Sequence, residues 1–199
     1  MDRVLDLAHR LARLGALGGG ALTILAAIVI GVDVVLRKTL ALSVGGASEL
    51  SGYVLAIGSS WGFALALLDR AHIRIDTLYV LLPTRICAAL DLLALVVMLA
   101  FAGLLAWQGW HVFAQSVQFG SRALTPIATP LQYPQFLWVV GLIYFAVVIA
   151  LLLVRATHAF VTGDFATVQR IAGSRTSQQD LEEELDSLHR RGVGTEGRP

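Results

Sequence analysis

Cysteine is almost missing from this chain. Cys87 is the single one among 199 residues, which excludes an intrachain disulfide and a cysteine-based metal centre. It reads as a small buried hydrophobe. Charge is scarce as well: Asp, Glu, Lys and Arg make up 15% of the chain, against about a quarter in an ordinary soluble domain. The basic residues are 14 Arg and one Lys, they are scattered, and the formal net charge is +1. No nucleic-acid partner is expected from such a distribution. H-E-x-x-H, G-x-S-x-G and Walker A motifs are absent, so no enzyme of those classes is expected. Bis-histidine haem needs two ligands facing each other at one depth. His9, His72, His111, His158 and His189 all fall outside the long apolar runs, so no cofactor is expected.

What the chain has instead is apolar length. Hydrophobic residues make up 56% and the mean hydropathy is +0.72, which excludes a disordered chain and most soluble domains. Four runs lack Asp, Glu, Lys, Arg and His: Leu14–Val32, Leu50–Leu68, Leu92–Trp110 and Phe136–Val154. Each has 19 residues, about 28 Å of helix, close to the hydrocarbon thickness of a bilayer. None shows a polar stripe. The fold class expected is all-α integral membrane, with four transmembrane helices at about 14–36, 48–68, 86–111 and 133–155 inside a membrane domain 14–158. The first run is longer than a signal-peptide core and lacks a prompt small-residue cleavage site, so it is expected to stay as an anchor.

Arginine sets the expected orientation. Arg3, Arg10, Arg13, Arg70, Arg74, Arg85, Arg155, Arg170 and Arg175 lie on one side of the runs, against Arg37, Lys38 and Arg122 on the other. The positive-inside rule then places both termini in the cytoplasm. Tyr53, Trp107, Trp110, Tyr133 and Trp138 fall near the outer ends of the runs as an interfacial belt. Trp61 is the exception, near mid-span. Residues 1–13 carry Asp2, Arg3, Asp6, His9, Arg10 and Arg13 on one helical face, which suits an amphipathic helix lying in the interface. The alternative is a cytoplasmic extension of the first span. An outer loop is expected from His111 to Gln135, because Pro126, Pro130 and Pro134 break regular helix. It is either a place for an outside partner or a plain connector. Residues 159–199 read as a cytoplasmic tail with a short helix 177–191, opened by a Thr176–Gln179 capping box.

Ionisable residues inside membranes usually mark ion or substrate paths. The centres of these four runs contain none, and no proline interrupts them. A carrier acting alone would be expected to have either an acid near the midplane or a broken helix. The pattern therefore points to a membrane subunit that supports something else. Gly58 and Gly62 have GxxxG spacing, and the first run opens with Gly15, Gly18, Gly19 and Gly20. Such small faces let helices approach closely, either within the chain or with another subunit. Trp61 at mid-span needs a protein neighbour for its indole N–H.

Order and spacing then show a resemblance. The first span ends in Val34-Val35-Leu36-Arg37, and the second opens with Ala47-Ser48-Glu49-Leu50-Ser51-Gly52-Tyr53. After the small-and-aromatic stretch 58–66 comes Ala71-His72-Ile73-Arg74-Ile75-Asp76, with Pro83 following. This resembles the small membrane subunit, the DctQ type, of tripartite ATP-independent periplasmic (TRAP) transporters, over about residues 20–155. Where that family usually has glycine before the histidine, this chain has Ala71. The resemblance implies a non-enzymatic subunit of a sodium-coupled symporter for organic acids in the bacterial inner membrane. Its implied partners are a large membrane subunit and a periplasmic substrate-binding protein, besides the phospholipid bilayer. Arg37, Glu49, Gly58, Trp61, Gly62, His72, Arg74 and Asp76 are the candidate interface or anchoring residues. Read from the residues alone, Asp33 and Arg37 can pair at i, i+4, and Glu49 can approach them if the first two spans are antiparallel. Arg74 can meet lipid phosphate or a partner carboxylate, or serve only orientation. A self-sufficient tetraspan carrier or efflux protein working as an oligomer is the alternative reading.

Overall fold

The computed structural model describes residues 2–42, 45–70, 82–172 and 185. Four long helices, α1 (Asp2–Leu40), α2 (Ala47–Leu68), α3 (Thr84–Phe119) and α4 (Gln132–Val161), are followed by a short α5 (Phe165–Ala172). The first four are long and apolar enough to cross a membrane. At 1.5 Å per residue α1 measures about 58 Å and α3 about 54 Å, well beyond a hydrocarbon core of about 30 Å.

Three boundaries differ from the sequence reading. First, α1 is continuous from Asp2 to Leu40, so no break separates residues 2–13 from the first span. No proline interrupts it, and Ala8 and Ala12 are buried in line with Ala26. Second, the expected loop 111–135 is shorter, because α3 continues through His111 and Gln115 to Phe119. The prolines begin only at Pro126. Gly120, at φ 58°, ends the helix in a left-handed turn. Ser121 donates its N–H to Ser116 O at 3.0 Å, and Gly120 donates to Val117 O at 3.4 Å, the paired bonds of a Schellman motif. Pro134 sits in the first turn of α4, where its missing N–H leaves no intrahelical bond unmade. Third, α5 has no counterpart in the sequence reading. α4 ends in a second Schellman turn at Gly163, φ 77°, with Asp164 N–H bonded to Ala159 O at 3.0 Å. Asp164 then caps α5, accepting from the Thr167 N–H at 3.0 Å. Val168 is fully buried where α5 lies against α3 and α4. Leu185 apart, the expected tail helix 177–191 lies outside the described residues.

The four long helices form a row in the order α1, α2, α4, α3. Among the described residues, α1 packs at length only on α2, α2 also on α4, and α4 also on α3. Two seams recur every seven residues. On α1 the seam runs through the buried Ala12, Gly19, Ala26 and Asp33. On α3 it runs through the buried Ala88, Leu95, Ala102, Gly109 and Ser116. That period keeps one face of a helix against a neighbour over many turns. The opposing α4 seam carries Leu142, Phe145, Ile149, Leu152, Ala156 and Ala159. Lipid tails are as apolar as leucine, so close packing rather than exclusion of water holds these seams.

Candidate functional site

The α1–α2 and α3–α4 connections lie at one end of the row, the far end. The N-terminus, Asp69, Thr84 and α5 lie at the other, the near end. Two clusters stand out: one at mid-height, one at the far end.

The mid-height cluster centres on Trp61 of α2. Its indole N–H donates to Leu137 O of α4 at 3.1 Å, and its ring stacks on Tyr144, centroids 5.6 Å apart at 27°. The neighbour demanded by a mid-span indole is thus inside the chain. Glycines make the room. A Cβ on Gly15 of α1 would stand 2.4 Å from Trp61 Cε3, and one on Gly141 of α4 would stand 2.9 Å from Trp61 Cδ1 and 2.4 Å from Ser60 Oγ. Ser60 is fully buried and satisfies its hydroxyl on Ile57 O at 2.9 Å. The Tyr144 hydroxyl donates to Ala8 O of α1.

Gly58 and Gly62 do not share a seam. A Cβ on Gly19 would stand 2.8 Å from Gly58 Cα, so these two backbones nearly touch, whereas a Cβ on Gly62 would meet nothing within 4 Å. The close-approach pair is Gly15 and Gly19 on α1, also four residues apart, facing Trp61 and Gly58. The reason is geometric. α1 crosses α2 at Gly58, and the bulk of Trp61 occupies the next turn.

The far-end cluster centres on Glu49, in the first turn of α2. Oε1 accepts from the Tyr53 hydroxyl at 2.7 Å, and Oε2 accepts from the Thr125 hydroxyl. The Thr129 hydroxyl is a further donor to this carboxylate. The α3–α4 connection is thereby tied to the start of α2. Beside it, Gly46 leaves space for Ile127, whose Cδ1 would lie 2.1 Å from a Cβ there, and Gly45, at φ 74°, lies against Pro126. The connection is internally bonded too, Ala123 N–H to Thr129 O and Leu131 N–H to Ser121 O, both at 3.0 Å. Thr125 and Thr129 went unnoticed in the sequence, because nothing in their spacing points back to Glu49, which lies 76 residues before Thr125. Arg37 pairs with Asp33 across one helical turn, as the i, i+4 spacing requires. Asp33 is buried and Arg37 is exposed. Glu49 itself bonds to the α3–α4 connection.

At the near end His9 Nε2 lies 3.5 Å from Asp69 Oδ1, with both side chains about half exposed. The Arg85 guanidinium stands 5.8 Å above the Phe165 ring, joining α3 to α5. Asp91, two turns into α3, is fully buried. Thr167 donates to the Asp164 carboxylate from its hydroxyl and its backbone N–H, and Arg170 is nearby. Together these hold that carboxyl below its ordinary range. His72, Arg74 and Asp76 lie outside the described residues. Among the described residues no three His, Cys, Asp or Glu side chains stand close enough to hold a metal ion. Both clusters hold helices and a connection in place.

The family described as "Tripartite ATP-independent periplasmic transporters, DctQ component" matches this chain over residues 26–159. No curated protein and no solved structure matches it. The matched stretch takes in the C-terminal part of α1 and all of α2 and α3, and reaches nearly to the end of α4. The chain belongs to the DctQ family: it is a multi-pass membrane protein and a transporter small permease, in a family of transport subunits rather than enzymes.

Proposed function

We propose that this DctQ-family chain is the small membrane subunit of a sodium-coupled TRAP transporter for organic acids. In this reading it packs against the large membrane subunit, stabilises its scaffold, and does not carry substrate itself. The observation that carries the reading is the open row. α1, α2, α4 and α3 stand side by side, with no ionisable residue in the 19-residue runs at their centres. A carrier working alone would be expected to enclose a path between helices and to line it with polar groups. This row offers broad apolar sides, suited to lipid on one and another membrane protein on the other.

The same reading places the near end in the cytoplasm and the far end in the periplasm of a bacterial inner membrane, by the arginine distribution. The first three turns of α1, with Arg3, Arg10 and Arg13, then lie at the cytoplasmic interface, and the Glu49-anchored connection lies on the side where a periplasmic binding protein operates. Reporter fusions at Ala41 and Ala123 are expected to give periplasmic signals, and fusions at Thr77 and Gly173 cytoplasmic ones. A periplasmic signal at Gly173 would overturn the orientation. The transport test uses proteoliposomes. This chain alone is expected to give no sodium-dependent uptake of organic acids, and uptake without a large subunit would refute the scaffold role in favour of a self-sufficient carrier.

A further inference from the structure

We propose that Trp61 and Tyr144 act as one positioning unit, which sets the angle between the α1–α2 arm and the α4–α3 arm of the row. The consequence for a partner subunit rests on the scaffold reading above, whereas the unit itself rests on geometry within this chain.

A row needs something to set the angle at each step. Along α3–α4 the long heptad seam does this, with Leu95, Ile149 and Leu152 interlocked at the core. α1 has no such seam with α4. Its extended packing is on α2 alone, so its position relative to α4 depends on what crosses from arm to arm. Two side chains make that crossing. Trp61, from α2, lies between the Cβ-free backbones of Gly15 on α1 and Gly141 on α4. Its N–H reaches Leu137 O, a carbonyl whose helical partner is the N–H of Gly141, four residues on. The carbonyl has a second lone pair to offer, and the indole can approach it because residue 141 has no side chain. Tyr144, one turn further along α4, stacks on that indole. Its hydroxyl then donates to Ala8 O of α1. α4 thereby steers the first turns of α1 directly.

Lipid strengthens this coupling. At mid-height there is no water to take over the indole N–H, and an unsatisfied polar group in hydrocarbon is costly. A change of arm angle would strain the Ala8 bond and break the Leu137 bond with nothing to replace it. The unit therefore favours one angle, which is the angle a membrane partner meets.

The test uses the full chain in nanodiscs, in a Cys87→Ala background, with spin labels at Leu25→Cys on α1 and Leu104→Cys on α3, both lipid-side positions. Pulsed electron spin resonance reads the distance between the arms. Tyr144→Phe keeps the ring stack and removes the bridge to α1, and Trp61→Phe keeps a ring and removes the N–H. Both are expected to replace a single narrow distance with a broad or shifted distribution. A control pair within one arm, Leu104→Cys with Val147→Cys, is expected to stay narrow, and circular dichroism to stay unchanged. An unchanged inter-arm distance in both variants overturns the proposal. So does equal broadening of the control pair, since the residues would then support the whole fold rather than the angle. Co-purification with the large subunit is read in parallel and is expected to fall. If the inter-arm distance broadens while co-purification holds, the positioning unit stands and the large subunit does not depend on that angle; failure of the unaltered chain to co-purify would sink the scaffold reading and leave the unit standing.

Discussion

α1 and α4 are both charge-free over 19 residues and both long enough to cross a bilayer, yet they occupy opposite situations. Of the most apolar stretch of α4, 39% is buried inside the chain, against 17% for α1. α4 touches α2, α3 and α5, whereas α1 packs at length only on α2. Their side chains are arranged in opposite senses. α4 turns its large residues inward, with Phe145, Val148, Ile149 and Leu152 in the core. α1 turns small residues inward, Ala12, Gly19 and Ala26, and leaves Leu14, Leu17, Ile24, Leu25 and Ile28 outside. The comparison teaches that apolar content places a helix in the membrane, while residue size decides which face meets protein. Small residues bring backbones together, and large ones fill the remaining volume.

The largest effect that could break this comparison is a cavity. Ile149→Ala in α4 removes a fully buried side chain and is expected to destabilise by about 2–5 kcal/mol, read as a fall in detergent melting temperature. Ile28→Ala in α1 removes an exposed one and is expected to leave that temperature within error. Equal losses would mean that the two helices are not in different situations.

Overpacking comes next. Gly19→Leu forces a side chain against the backbone of Gly58 and is expected to cost about 1–3 kcal/mol. It should detach α1 while leaving α3–α4 paired, as cysteine cross-linking would read. Gly62→Leu enters open space and is expected to leave the α1–α2 cross-link intact. If Gly62→Leu alone lowered co-purification with the large subunit, that face of α2 would be the partner-facing one.

A smaller effect is expected at the far end. Glu49→Gln keeps the size of the side chain but removes the charge that strengthens the bonds from Tyr53, Thr125 and Thr129. Residues 120–131 should become more open to protease, with α1–α2 pairing unchanged. Intact protection would show that the Ile127 and Pro126 contacts suffice without the carboxylate.

The smallest effect concerns the cap on α5. The Asp164 carboxyl is held below its ordinary value of 3.8 by the two hydrogen bonds from Thr167, with Arg170 contributing less. A lowered folded-state value means the contribution is fully present above pH 3.8 and is lost as the pH falls through the lowered value. Hydrogen exchange at Val168 is therefore expected to speed up only below about pH 4, and in Asp164→Asn that dependence should vanish. Acceleration beginning near neutral pH would assign the change to another group.

Much of this was open to reading in the residues. The four spans, the Asp33–Arg37 pair and the need of Trp61 for a protein neighbour are local matters of composition, helical spacing and one unsatisfied N–H. The α1 and α3 seams were legible in principle as well. Ala12, Gly19 and Ala26, and again Ala88, Ala102, Gly109 and Ser116, repeat small residues every seven positions, the membrane counterpart of a polar stripe. The GxxxG spacing of Gly58 and Gly62 was a weaker guide, because four-residue spacing recurs by chance in glycine-rich helices and says nothing of which side a neighbour takes. Thr125, Thr129, Gly141 and Tyr144 carried no local signal, since each acquires its role from a residue on a distant helix.

The sequence by itself determined that this chain lives in a membrane with four helices, because transfer into lipid is a property of each segment taken alone. Only the tertiary structure decided that those helices stand in a row, that Glu49 holds the far-end connection, and that Trp61 is shared by three helices. Lipid and protein interior are equally apolar, so hydropathy cannot tell one from the other. The choice falls to steric fit and to a few hydrogen bonds between residues far apart in the chain.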